Sequence, residues 1–217
     1  MKKFINFISH PVTIIFLVLF IDQFLKIWIK TTMYLGQEFP VIGNWFYIHF
    51  TENPGMAFGM EFGGEYGKLA LSLFRIVAVS GIGYVLFTLP KETSRGFKIC
   101  GSLVLAGAIG NIIDSAFYGV IFNESFNQLA TSFPADGGYA PLLYGRVVDM
   151  FWFPLFDGTF PSWLPIWGGE EFLFFRPVFN VADASISVGI ILIFIFHRDF
   201  FKTNTKEHSE EVTTPEV

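Results

Sequence analysis

Four long apolar stretches constrain this chain more than any other feature. They run over about residues 11–29, 69–89, 97–117 and 178–196. Each approaches the roughly 20 residues that a helix needs to cross a bilayer core. The 217 residues are 52% apolar and only 15% charged, where a soluble domain carries about 25% charge. That balance excludes a disordered chain and a nucleic-acid-coating protein, and it argues against an ordinary soluble enzyme. The first stretch follows Met1-Lys2-Lys3. Its apolar core is longer than a signal peptide's, no small-residue cleavage site follows, and it contains Asp22 and Lys26, so it reads as a retained helix.

The flanking cations orient the spans. Lys2, Lys3, Lys91, Arg95, Lys98, Arg198, Lys202 and Lys206 fall on one side, against Lys68, Arg146 and Arg176 on the other. Both termini are therefore expected in the cytoplasm, with loops 31–68 and 118–177 facing out. Residues 1–200 read as one membrane-embedded domain and 201–217 as a polar, disordered cytoplasmic tail. The expected fold is an all-α membrane protein with a small β element. Val41 to Phe50 is rich in β-favouring residues and reads as extended, leading into a turn at Thr51-Glu52-Asn53-Pro54-Gly55. The second loop is crowded with aromatics, among them Phe122, Phe126, Phe133, Trp163 and Trp167. It is read as lying on or dipping into the outer leaflet; the alternative is a small aqueous domain with an aromatic core. Ser102, Ala106 and Gly110 recur every four residues on the third span, a spacing that permits close helix contact in lipid.

Ionisable residues in or beside such spans are functional candidates. Asp114 lies roughly 5 Å, Asp183 roughly 8 Å and Asp22 roughly 10 Å from the outer ends of their spans, at 1.5 Å per residue. Asp149 sits in the apolar run Arg146-Val147-Val148-Asp149-Met150-Phe151 of the outer loop. Asp22 and Lys26 are four residues apart and can pair on one helix face. That pair reads as structural, Lys30 as a cation snorkelling to the interface, and Arg75 as having a structural partner. Asp149 and Asp183 are either separate polar contacts or a working pair. Two close carboxylates in a low dielectric share a proton, giving one acid and one base near neutral pH. That pair can activate water and protonate a leaving amine, as in aspartic-type peptide hydrolysis, with no metal or cofactor. No H-E-x-x-H zinc motif and no G-x-S-x-G elbow is present, and the single Cys100 lies at the far end of its span, away from any evident base.

Five motifs stand in order along the chain: Asp22-Gln23-Phe24-Leu25-Lys26, Asn53-Pro54-Gly55-Met56-Ala57-Phe58-Gly59, Gly110-Asn111-Ile112-Ile113-Asp114, Gly145-Arg146-Val147-Val148-Asp149 and Phe179-Asn180-Val181-Ala182-Asp183. Together, over about residues 12–197, the chain resembles the lipoprotein signal peptidases (signal peptidase II), membrane aspartic peptidases of bacteria. The resemblance implies four transmembrane helices with an extracytoplasmic β-cradle and an interfacial arm, in the bacterial cytoplasmic (inner) membrane. Asp149 and Asp183 match the catalytic dyad. Asn53, Gly55, Asn111, Asp114, Arg146 and Asn180 match or neighbour positions that line and support the site. Val41 to Phe50 matches a cradle strand. The implied substrates are prolipoproteins carrying a diacylglyceryl-cysteine, cut just before that residue, with membrane lipid and cyclic-peptide inhibitors such as globomycin as further partners.

Three departures stand out. Ser115 replaces the family's usual arginine, with Arg146 as the candidate substitute. Met150 stands where phenylalanine is usual. Two insertions, 118–143 and 152–175, lengthen the link between motifs. From the residues alone, two other classes stay open: a proton-coupled transporter subunit, which needs acids at several depths, and a non-catalytic assembly factor docking through the aromatic loop.

Overall fold

Helix α1 spans Pro11–Thr32. Proline at its first turn needs no amide partner there, and the His10 side chain accepts from the Val12 amide. After a turn the chain forms strands β1 (Glu38–Ile42) and β2 (Phe46–Asn53). Helix α2 spans Gly64–Thr88, and α3 spans Arg95–Ile113, capped by Ser94. α3 then passes into a π-helical turn, Asp114–Tyr118, and a short helical turn, Gly119–Ile121. Strands β3 (Val147–Trp152), β4 (Phe156–Thr159), β5 (Glu171–Phe174) and β6 (Val178–Phe179) follow, then helix α4 (Val181–Phe196). This computed structural model describes residues 7–54 and 64–197. Gly55 with the rest of its motif to Gly59, the cations at Lys2, Lys3, Arg198, Lys202 and Lys206, and the tail 201–217 lie outside the described residues.

Among the described residues, three helical segments are long and apolar enough to cross a membrane: Pro11–Thr32, Tyr66–Thr88 and Arg95–Ile121. α4 is equally apolar but has 16 residues. It starts three residues later than its apolar stretch because Val178 and Phe179 pair with β3 instead, and Asn180 then caps the helix. α3 is the central helix, with α1, α2 and α4 packed on it. The expected small-residue stripe is buried, at Ser102, Ala106 and Gly110. α3 and α4 approach closely at Gly107, where an added Cβ would lie 2.2 Å from the Ala182 carbonyl oxygen.

A four-stranded antiparallel sheet, ordered β1-β2-β3-β6, covers one end of the helices. β3 is interior and its first four residues are buried. Two expectations are corrected here. Val41 to Phe50 is not one strand but parts of two, reversing at Gly43-Asn44-Trp45, where Gly43 takes a positive φ of 50° that suits glycine. Thr51, Glu52 and Asn53 do not turn but continue the strand, because β3 pairs with β2 as far as Asn53. The core beneath the sheet joins Ile29 and Met33 of α1, Ile48 and Phe50 of β2, Tyr118 and Phe122 after α3, and Val148 and Met150 of β3.

β4 and β5 form a separate hairpin. Phe156 at 65% and Trp163 at 78% exposure face outward, while Phe160 and Phe172 pack on each other half-buried, with ring centroids 4.7 Å apart.

Candidate active site

Asp22, Lys26 and Lys30 repeat every four residues and share the buried face of α1, all fully buried. A charge so placed requires partners. Lys26 Nζ stands 2.9 Å from Asp22 Oδ2 and 2.9 Å from Asp114 Oδ2. Asp22 Oδ1 also accepts the Ala182 amide at 2.8 Å, which fixes the start of α4 against α1. Asp114 Oδ2 accepts the Val148 amide at 3.2 Å, tying α3 to the strand that carries Asp149. This tie depends on the π turn. Its freed carbonyls, Ser115 O and Ala116 O, accept from Gly145 and Leu143 in the segment leading to β3. Gly145 runs so close that an added Cβ would sit 2.1 Å from Asp114 O.

Asn111 and Asn180 then join the two candidate carboxylates. Lys26 donates to Asn111 Oδ1 at 2.9 Å, and Asn180 Nδ2 donates to the same oxygen at 3.2 Å. With its carbonyl so occupied, the Asn111 amide nitrogen faces Asp183 Oδ1 at 2.8 Å. Asn180, fully buried, also donates to Asp149 Oδ1 at 2.7 Å and to Val148 O at 3.2 Å. Its own Oδ1 accepts the Asp183 amide at 2.9 Å, while Asp183 Oδ2 accepts the Asn180 amide. This reciprocal cap at the head of α4 holds Asp183 in the first turn. One side chain, Asn180, therefore touches both candidate positions.

Asp149 is 4% exposed. Burial first, and then the negative charge of Asp183, pushes its carboxyl up to about 8. Asp183 has different surroundings: both of its oxygens accept N–H donors, and it sits at the N-terminus of α4. The cluster thus holds one carboxyl that keeps its proton at neutral pH beside one solvated by fixed dipoles, an arrangement able to act as acid and base on one water.

Two sequence expectations change. Lys30 does not snorkel: it is buried against Glu52 and Ser125, with its ammonium over the Tyr139 ring. The reason is that β2 brings a carboxylate to it, and pairing a buried cation costs less than leaving it bare. Arg146 does not replace an arginine beside Asp114. Its guanidinium pairs with Glu124 through both terminal nitrogens and with Glu52 at 3.0 Å. Those bonds hold Glu124 below the usual carboxylate range. Asn53 ends β2 opposite Val147, two residues from the Thr51–Asp149 pairing.

Sequence reasoning missed Gln23. Its amide donates to Asp22, Asp114 and the Gly110 carbonyl, and its oxygen accepts from Tyr118. An amide beside Asp22 inside a span was a readable signal. It also missed Glu52, Glu124 and Ser125, which the unpaired Lys30 foreshadowed. Among the described residues no three His, Cys, Asp or Glu side chains gather as metal ligands.

Comparison with known proteins adds independent findings. Residues 14–198 match the family model described as signal peptidase (SPase) II. The chain is similar to a lipoprotein signal peptidase of Porphyromonas gingivalis, 59% identical over 184 residues, covering 84% of this chain and 80% of that protein. It is 38% identical over 202 residues to one of Amoebophilus asiaticus, covering 91% and 81%. Its fold is similar to a bacterial membrane enzyme solved by the in meso method at 1.9 Å, with TM-score 0.55, 27% identity, and coverage of 85% of this chain and 90% of that one.

Proposed function

This chain belongs to the signal peptidase II family, and from that premise we infer that it removes the signal peptide from prolipoproteins, with Asp149 and Asp183 as the reacting carboxylates. It is a peptidase. The observation that carries the residue assignment is Asn180, whose one side chain hydrogen-bonds the Asp149 carboxylate and the Asp183 amide.

The reaction follows from the two environments. A water between the carboxyls gives a proton to Asp183 as its oxygen attacks the scissile carbonyl carbon. Asp149 donates its proton to the carbonyl oxygen. The tetrahedral gem-diol then collapses: one hydroxyl returns its proton to Asp149 as the carbonyl re-forms, the C–N bond breaks, and the leaving nitrogen takes the proton held by Asp183. Asn111 and Asn180 hold the carboxyls in place. Lys26, Asp22 and Asp114 support that frame, and Asn53 borders the substrate's path.

In this reading α4 is the fourth transmembrane helix and both termini are cytoplasmic. The sheet is the extracytoplasmic cradle at the outer face of the bacterial inner membrane, and the β4–β5 hairpin is the interfacial arm. The substrate carries a diacylglyceryl-cysteine next to the scissile bond, and globomycin-type cyclic peptides compete for the same place. The three long apolar helices and the acids gathered at one end of the bundle support this over a transporter, which needs a polar path through the inner half. The test is cleavage of a diacylglyceryl-modified peptide by the purified protein. Cut peptide with a free amino-terminal lipidated cysteine is expected; an intact peptide under conditions where the protein is folded overturns the reading.

A further inference from the structure

The segment that leads into β3 lies against the sheet end of α2. Buried Ser72 of α2 donates to Leu143 O at 2.9 Å. The segment is pinned elsewhere too: the Ala140 amide donates to Gly119 O, the Leu143 amide to Ala116 O and the Tyr144 amide to Pro141 O. Between it and α2 lies a pocket of about 400 Å³, lined by Lys68, Tyr139, Ala140, Pro141, Tyr144 and Arg146. Lys68 stands one turn before Ser72 on the same face of α2. The bond that anchors Ser72 therefore also holds Lys68 over the segment.

The chemistry of this lining is one-sided. It offers an ammonium, a guanidinium and two phenols, and among the described residues no carboxylate lines it. Three N–H bonds of Arg146 go to Glu52 and Glu124, and a guanidinium has donors beyond those. Tyr139 is held between two cations, with Arg146 4.7 Å and Lys30 4.9 Å from its ring centroid. Its hydroxyl accepts the Arg146 amide at 2.6 Å, which fixes the ring as a wall of the pocket. The pocket's depth is also defined. Lys68 lies two residues inside the apolar segment that starts at Tyr66, roughly 3 Å along the helix. In the orientation inferred above, that is the headgroup level of the outer leaflet, where tyrosine also concentrates.

We propose that this pocket seats the phosphate of an anionic phospholipid, held by Lys68 and Arg146 with the tyrosine rings beside it. The proposal rests on the membrane orientation inferred above and is independent of the peptidase chemistry. Two cations converging on one cavity suit a phosphodiester, and basic pockets beside membrane helices take anionic headgroups. A zwitterionic lipid brings its own cation, which Lys68 and Arg146 repel, so the site selects lipids of net negative charge. Because the segment runs directly into β3, a lipid bound here braces the strand that carries Asp149.

The test counts bound lipid by native mass spectrometry. The purified full chain in neutral detergent is titrated with phosphatidylglycerol or with phosphatidylcholine of the same acyl chains. Phosphatidylglycerol is expected to bind more tightly. Lys68→Gln should weaken it roughly fivefold, the scale of one lysine at a membrane surface, and leave phosphatidylcholine unchanged. Lys68→Arg keeps the charge and should keep the preference. Lys91→Gln, an exposed position beyond the other end of α2, should keep it too. Equal affinity for the two lipids overturns the proposal, as does a preference that survives in Lys68→Gln. Loss of the preference in Lys68→Arg or in Lys91→Gln also overturns it, because the effect would then follow packing or overall surface charge. If inorganic phosphate displaces phosphatidylglycerol at equal concentration, the pocket takes a free anion and the lipid assignment falls. No readout here uses cleavage, so failure of the peptidase reading is a separate outcome.

Discussion

Removing the Asn180 side chain gives the sharpest division between holding the fold and holding the dyad. It is fully buried and its side chain makes four hydrogen bonds: it accepts from the Asp183 amide and donates to Asp149, Asn111 and Val148 O. Asn180→Ala deletes the helix cap, which costs about 1 kcal/mol. It also strips the Val148 carbonyl and Asp149 of a donor inside the protein, and an orphaned buried acceptor costs about 1–3 kcal/mol. The expected loss is about 2–4 kcal/mol. For a chain this size that is a fall in Tm of about 5–15 °C. Turnover should drop about 100-fold or more, the scale seen when a positioned amide donor leaves a reaction centre. Asn180→Ser separates the two effects. Serine is a good cap but is too short to reach Asp149, so it should recover the cap's share, about 1 kcal/mol, without restoring turnover. Thermal unfolding and cleavage of a lipidated fluorogenic peptide, run on the same preparations, measure both. If turnover returns in step with stability in the serine variant, or if alanine leaves turnover within about threefold, Asn180 does not position the dyad.

Other consequences can be checked separately. Asp149 must hold a proton, and its carboxyl is raised to about 8. A raised acid stays protonated below that value and ionises above it, so kcat/KM should fall as pH passes about 8; a profile level through pH 9 would contradict this. By linkage the same group makes the fold less stable as pH rises from its unfolded value towards its folded one, because the folded state keeps the proton that the unfolded state loses. Gly107→Ala places a Cβ 2.2 Å from the Ala182 carbonyl; the forced shift should cost about 1–3 kcal/mol, and an unchanged Tm would show that the helices are less tightly apposed. Glu52→Gln leaves Lys30 buried without its carboxylate and should cost about 3–5 kcal/mol. Adding Lys30→Met should recover most of it, and a double variant no more stable than the single one would refute that pairing.

How legible the molecule was in its sequence depends on the range of each interaction. The helices were readable because an apolar run of about 20 residues has few other uses. The start of α4 was not, since Val178 and Phe179 are as apolar as the helix and only their pairing with Phe151 and Trp152 makes them strand. The hairpin of β1 and β2 was hidden because Gly43-Asn44-Trp45 turns inside an unbroken run of β-favouring residues. Asp22 with Lys26 was readable as an i, i+4 pair, whereas Asp114 joins Lys26 from 88 residues away and no local pattern announces it. Lys30 was misread for the same reason: its partners Glu52 and Ser125 lie 22 and 95 positions along the chain. Motif resemblance pointed to Asp149 and Asp183, but the asymmetry between them comes from Asn111, Asn180 and burial, which only the folded chain assembles.

The most direct measurement is the turnover of Asp149→Asn and Asp183→Asn, each purified in folded form and reconstituted in bilayers, on a diacylglyceryl-modified signal-peptide substrate followed by mass spectrometry. The account predicts that neither variant releases cleaved product while both keep the helical content of the unmodified protein. Cleavage near the normal rate by either variant would mean that its carboxyl takes no part in the reaction.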